Sequence, residues 1–117
     1  MIYISNKMFP LRVDRKSKEV IQFEVSLKNQ NPVTKLVSYE IIFPEGLSAD
    51  TKTQKNSQIF KLGEMKPDEV HTFKYRLVPN NYLREGSSEI IVRAYEHFGS
   101  YDHLEQTTER IISIRVV

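Results

Sequence analysis

The chain has 117 residues, a net charge of +2 and no cysteine, and these properties exclude several classes of protein. A chain of this length suits one domain with its own core, so residues 1–117 are expected to form a single domain. Without cysteine there is no disulfide framework, thiolate zinc site or cysteine nucleophile. The 17 basic and 15 acidic residues are interspersed, which predicts that neither nucleic acid nor an anionic membrane is a partner.

The first residues, MIYISNKMFPLRV, do not have the pattern of a signal peptide, because Lys7 and Arg12 interrupt their apolar residues. No run approaches the ~20 apolar residues that cross a bilayer as a helix, so we expect no membrane insertion. A complete chain is then expected to be cytoplasmic. A module excised from a longer protein is expected at the cell surface or outside the cell.

Apolar and polar residues alternate with a period of two through most of the chain, and this pattern predicts β-strands. After a frayed segment at residues 1–7, the predicted strands are residues 8–13, 19–28, 35–43, 58–62, 71–79, 88–97 and 105–117. Pro10 restricts the first of them to a sheet edge or a bulge. No stretch has a helical period over helical length, so the sequence predicts an all-β protein.

Clusters of turn residues separate the predicted strands. They are NQNP at 29–32, PEG at 44–46, LG at 62–63 and PDE at 67–69. The polar segment 47–57, LSADTKTQKNS, predicts a loop that crosses between two sheets, with a short edge strand as the alternative for part of it. About seven strands with such connections predict an antiparallel β-sandwich.

Two turn motifs and the order of the strands resemble a known family. PEGL at 44–47 matches the family's corner in full, and LGEMKPDE at 62–69 matches its Leu-Gly-x-Leu-x-Pro-Gly-Glu turn, with Met65 for leucine and Asp68 for glycine. From Val13 to Val117 the chain is similar to the CARDB-type immunoglobulin-like or fibronectin-like modules of bacteria and archaea. The resemblance implies an immunoglobulin-like β-sandwich with a binding, adhesion or spacer role and no catalytic residues.

The loop between the last two predicted strands, EHFGSYDHLE at 96–105, is the strongest candidate for a site. In a β-sandwich it lies at one end of the sheets, where partners often bind. On the functional interpretation Phe98, Tyr101 and His103 are partner-binding contacts. The alternative is a hydrophilic hairpin in which Phe98 and Leu104 close the end of the core, and the sequence favours this alternative.

The same loop also offers the metal-binding side chains of His97, Asp102, His103 and Glu105. Zinc accepts such ligands. The spacing matches no established ligand motif, however, and the adjacent Asp102 and His103 point apart on an extended chain. We therefore expect no metal and no other cofactor.

No stretch places a nucleophile beside a base and an orienting acid, so we expect no enzymatic activity. The leading hypothesis is a non-enzymatic protein-interaction or adhesion-type module that acts through its loops or sheet edges. Its partner is a protein, either another one or a second copy paired through an edge strand, for which residues 8–13 and the closing strand are the candidates. The alternative is a carbohydrate-binding or accessory spacer domain of a glycan-active protein. That alternative requires an exposed row of tyrosines on one sheet face, drawn from Tyr39, Tyr75, Tyr82 and Tyr95.

Overall fold

The computed structural model describes residues 1–17, 19–49 and 57–117. These residues contain nine β-strands and no helix. The strands are β1 (Ile2–Phe9), β2 (Arg12–Val13), β3 (Ile21–Asn29), β4 (Lys35–Ile42), β5 (Leu47–Ala49), β6 (Ser57–Met65), β7 (Val70–Pro79), β8 (Gly86–His97) and β9 (Leu104–Val116). Every predicted strand overlaps one of these. The described residues nevertheless hold more than the expected number of about seven.

The strands form two sheets, and all but one of their pairings are antiparallel. The four-stranded sheet has the order β1-β3-β7-β5, and the five-stranded sheet has the order β2-β9-β8-β4-β6. The five-stranded sheet is curled like half a barrel and is mixed, because β2 runs parallel to β9. The prediction of an all-β protein with antiparallel sheets is confirmed.

One cluster of buried side chains lies between the apolar faces of the two sheets. Tyr39 of β4 is fully buried, and its ring centre lies 4.6 Å from that of Phe73 on the other sheet and 5.7 Å from that of Phe60. Burial and a shared hydrogen bond of 2.9 Å to the Tyr75 hydroxyl raise the pKa of Tyr39 far above its usual range. This aromatic stack joins the two sheets through the middle of the core.

The first strand begins earlier than the sequence predicts. The segment 1–7 was expected to fray, but β1 pairs with β3 along its whole length, from Ile2 opposite Asn29 to Phe9 opposite Gln22. The alternation of this strand is interrupted because the polar residue Asn6 stands where an apolar side chain would complete the pattern. Beyond β1 the chain leaves the four-stranded sheet and adds β2 to the other sheet.

Gly63 does not end a strand, so that prediction is wrong. β6 continues to Met65 through a β-bulge, because the register with β4 shifts between Val37 and Ser38 and leaves one extra residue in β6. Gly63 has a φ of +79°, a conformation that glycine adopts at little cost.

The turn predicted at 67–69 is confirmed. Asp68 has a φ of +65°, and the Glu69 N–H donates to the Lys66 carbonyl at 3.0 Å. Of the predicted crossing loop at 47–57, residues 47–49 form β5 and residues 50–56 lie outside the described part of the chain.

Candidate functional site

The loop between β8 and β9 is a closed hairpin that is attached to the outer face of the five-stranded sheet. Within it the Phe98 N–H donates to the His103 carbonyl at 2.9 Å. The Tyr101 hydroxyl accepts the Gly63 N–H at 2.9 Å, so the loop is fastened to the bulge in β6. The Tyr101 ring also meets the His97 ring edge-on, and the ammonium of Lys61 lies 5.2 Å from its centre.

The three predicted contact residues differ in how far they are exposed to solvent. Phe98 is 73% exposed, His103 is exposed with its Nδ1 3.2 Å from the Ser100 hydroxyl, and Tyr101 is partly buried by its contacts with the sheet. Leu104 is 57% exposed, so the alternative in which Phe98 and Leu104 close the core is wrong. A recognition role for the loop stays a prediction, and within the loop Phe98 presents the largest exposed apolar surface.

Replacing Tyr101 with phenylalanine is expected to lower the free energy of unfolding by about 1 kcal/mol, because the Gly63 N–H loses its acceptor while the ring contacts remain. Chemical denaturation followed by circular dichroism measures the loss. Tyr82→Phe is the matched control, since that ring is 74% exposed, and it should change nothing measurable. Equal stability of the two variants would show that the tyrosine hydroxyl does not hold the loop.

A buried polar network, which no motif in the sequence indicated, lies at the same end of the molecule. Glu96 is buried on the inner side of β8, and its Oε1 accepts the side-chain amide of Asn31 at 2.8 Å. Its Oε2 is buried without a hydrogen-bond partner among the described residues. Asn31 in turn donates to the side-chain oxygen of Asn29, so the network connects β8 to the end of β3.

Ser38 and His97 form a contact that resembles a nucleophile and its base, as do Ser100 and His103 in the exposed β8–β9 loop. The Ser38 hydroxyl lies 2.7 Å from His97 Nε2. Ser38 is only 6% exposed, and His97 Nδ1 is buried without a partner, so no acid orients the ring within the described part of the chain. The pair lacks both access for a substrate and the third member of a triad.

A cleft of about 320 Å³ opens beside the β8–β9 loop. Lys35 and Glu105 meet within it at 2.5 Å, and this hydrogen bond raises the pKa of Lys35. Lys35 and Glu105 satisfy each other, which leaves Glu64 as the charged side chain of the cleft lining without an ion pair among the described residues. No group of three or more metal-binding side chains comes together among the residues that the structure describes.

The outer face of the five-stranded sheet carries two rows of side chains that run across β4, β8 and β9. In the first row Arg93 hydrogen-bonds to Glu40 at 3.1 Å and to Glu109 at 2.7 Å. Glu109 and Glu40 raise the pKa of the Arg93 guanidinium above its usual range. One guanidinium therefore joins two carboxylates, and the three side chains together carry a net charge of −1.

The second row is apolar, and we call it the isoleucine row. Ile42 lies opposite Ile91, which lies opposite Ile111. Ile111, at the end of the row on β9, is 51% exposed. The apolar row thus runs to the β9 side of the sheet and ends there in an exposed side chain.

β9 has a long stretch of backbone without a partner strand on one side, within the described residues. It pairs with β8 along its length, but β2 covers its other side only at Arg115 and Val116. The Val117 N–H donates to the Val13 carbonyl at 2.8 Å, so odd-numbered residues direct their backbone groups away from β8. By alternation, four more residues present N–H and C=O groups at this open edge. They are Thr107, Glu109, Ile111 and Ser113.

The neighbouring strand β1 does not pair with this edge through its backbone. Arg110 donates from its side-chain Nε to the side-chain oxygen of Asn6 at 2.8 Å, which holds β1 beside β9. Among the described residues, no backbone hydrogen bond joins the two strands. We call residues 107–113 of β9 the open edge. The closing strand was one of two edge-strand candidates in the sequence, and only the order of the strands shows that its residues 107–113 are open.

The four tyrosines of the carbohydrate hypothesis do not form an exposed row, and that expectation is wrong. Tyr39 and Tyr75 belong to the core stack. Tyr95 is half-buried on the outer face, where burial and a hydrogen bond of 2.7 Å to Glu40 raise its pKa. Tyr82 stands apart in the connection between β7 and β8.

No model of a known protein family matches the chain, and no curated protein matches it. The likeness to CARDB-type modules therefore rests on the sequence motifs alone. In the described ranges there is no helix with the length and apolar character needed to span a membrane.

Proposed function

We propose that this protein is a non-enzymatic interaction module that binds an extended polypeptide along the open edge of β9. The observation that carries the proposal is the unpaired backbone of residues 107–113. A polypeptide that adds a strand there gains a ladder of main-chain hydrogen bonds, while the side chains on either face of the edge select its sequence.

We also propose that the fold is an immunoglobulin-like β-sandwich of the CARDB type. Three features support it: four strands face five, the first part of the chain contributes β1 to one sheet and β2 to the other, and the Tyr39–Phe73 stack joins them. The corner at Gly46 and the turn at Asp68 have the left-handed conformations that the motifs imply. Modules of this kind act as binding or spacer domains, which agrees with an edge-binding role.

The open edge of β9 suits binding better than the other edges of the described sheets. β6 carries the bulge at Gly63, whose N–H is already bonded to Tyr101. β2 and β5 are only two and three residues long. β1 has the exposed Lys7 among its last three residues and Pro10 directly after it, two features that protect sheet edges from pairing. On β9 the one acidic side chain of the edge, Glu109, forms an ion pair with Arg93, which also pairs with Glu40.

A displayed library of random extended peptides, panned on the wild-type protein, tests the proposal. Ile111→Pro should weaken the selected peptides at least about tenfold, because proline removes an N–H that points into the open edge and none that bonds to β8. Its circular dichroism spectrum should remain that of a folded β protein.

Phe98→Ala is the companion variant, since it alters the β8–β9 loop and leaves the edge intact. It should bind the same peptides as the wild type. Peptide binding that Phe98→Ala abolishes and Ile111→Pro preserves would place the site on the loop and overturn the proposal.

A further inference from the structure

We infer that the polypeptide which the open edge of β9 accepts is β9 of a second copy of this chain, paired antiparallel with Ile111 opposite Ile111. This inference rests on the proposed function, because it uses the same edge, and it adds the identity of the partner. The pairs are Glu109 with Ser113, Ile111 with Ile111, and Ser113 with Glu109. Each pair exchanges two backbone hydrogen bonds across a two-fold axis.

The charges along the edge select this register from its neighbours. A two-fold axis at position 109 sets Glu109 against Glu109, and an axis at position 110 sets Arg110 against Arg110. Like charges directly opposite each other destabilise a sheet. An axis at position 112 brings Glu109 opposite Arg115, whose backbone β2 already pairs. The axis at Ile111 avoids both like-charge pairs and sets Glu109, Ile111 and Ser113 opposite open positions. Only Thr107, at the end of the ladder, falls opposite Arg115, beside β2.

The same register makes the outer faces of the two copies complementary. The isoleucine row of one copy meets that of the other at the axis, so Ile42, Ile91 and Ile111 continue into the same three residues of the second copy. The exposed side chain of Ile111 then lies between Ile91 of its own copy and Ile111 of the second copy. Glu109 lies diagonally across from Arg115 of the second copy, at a spacing that long side chains bridge.

The contact is short, so it predicts a reversible dimer of about micromolar affinity and not an obligate one. Sedimentation velocity over a concentration series should show the wild type passing from monomer to dimer. Ile111→Lys and Ile111→Glu should each remain monomeric, because each places two like charges on the axis. An equimolar mixture of these two variants should dimerise again, since lysine then faces glutamate.

Ile59→Lys is the matched control, because Ile59 is 65% exposed on the same outer face but lies on β6, away from the open edge. It should dimerise like the wild type. A wild type that stays monomeric at about millimolar concentration, a mixture that fails to dimerise, or a dimer that Ile59→Lys dissociates would each overturn the inference. A monomeric wild type whose peptide binding is lost in Ile111→Pro would overturn the self-pairing alone and leave the proposed function standing.

Discussion

Replacing Gly46 with alanine should cost at least about 3 kcal/mol of the free energy of unfolding. A Cβ at this position would lie 2.2 Å from the backbone nitrogen of Leu83 and 2.5 Å from its Cα. Gly46 also has a φ of +91°, a backbone conformation that residues with a side chain rarely adopt. Both the clash and the conformation oppose alanine.

The surroundings of Gly46 leave little room for relief. The Gly46 carbonyl accepts the Asn80 N–H at 2.8 Å, and the Leu83 N–H donates to the Asn80 carbonyl at 3.1 Å. Leu83 is itself buried in the core. Moving the two chain segments apart would therefore break hydrogen bonds and open a cavity at the same time.

Gly99→Ala is the matched control for the Gly46 variant. Gly99 has a φ of +76°, but no atom lies within 4 Å of the position that a Cβ would take. The Gly99→Ala variant should therefore lose only about 1 kcal/mol of the free energy of unfolding, which is the cost of a left-handed conformation for a residue with a Cβ. Denaturant unfolding followed by tyrosine fluorescence compares the two, and equal losses would show that the close approach to Leu83 is unimportant.

Gly46 also shows how far the sequence could predict the fold. The PEGL motif predicted a turn, and the turn is present. The sequence could not predict that the 80–83 connection packs closely against it, because the two segments lie far apart in the chain. Alternation identified the buried face of β3 because its apolar residues, Ile21, Phe23, Val25 and Leu27, are uninterrupted. It missed the start of β1, where Asn6 breaks the pattern, and it took the bulge at Gly63 for a strand end.

The candidate site was less predictable than the fold, because its features depend on which strands are neighbours. The sequence favoured a loop in which Phe98 closes the end of the core, and the structure exposes this side chain instead. The hydrogen bond that occupies Tyr101 required knowing that the β8–β9 loop reaches β6. The open edge of β9 arises because β2 is only two residues long, and no residue of β9 records that fact.

Asn29 was predicted only as the beginning of a turn, yet Asn29→Ala should cost about 3–4 kcal/mol of the free energy of unfolding. The side chain is fully buried and donates to the carbonyls of Val33 at 3.1 Å and Met65 at 2.8 Å. Its oxygen accepts the Asn31 N–H at 2.9 Å and the Asn31 side-chain amide at 2.8 Å. Alanine would leave this buried group of donors and acceptors without partners.

Asn80→Ala provides the comparison for Asn29→Ala, because the Asn80 side chain accepts a single N–H, that of Tyr82, in an exposed turn. It should lose less than about 1 kcal/mol. Asn29→Asp should be at least as damaging as alanine, since it replaces the donor to two carbonyls with an acceptor and buries a charge near Glu96. Thermal unfolding monitored by circular dichroism ranks the three variants by their stability. If Asn29→Ala proved as mild as Asn80→Ala, the network at this end would not be structural, and the β8–β9 loop above it would compete with the β9 edge as the place where a partner binds.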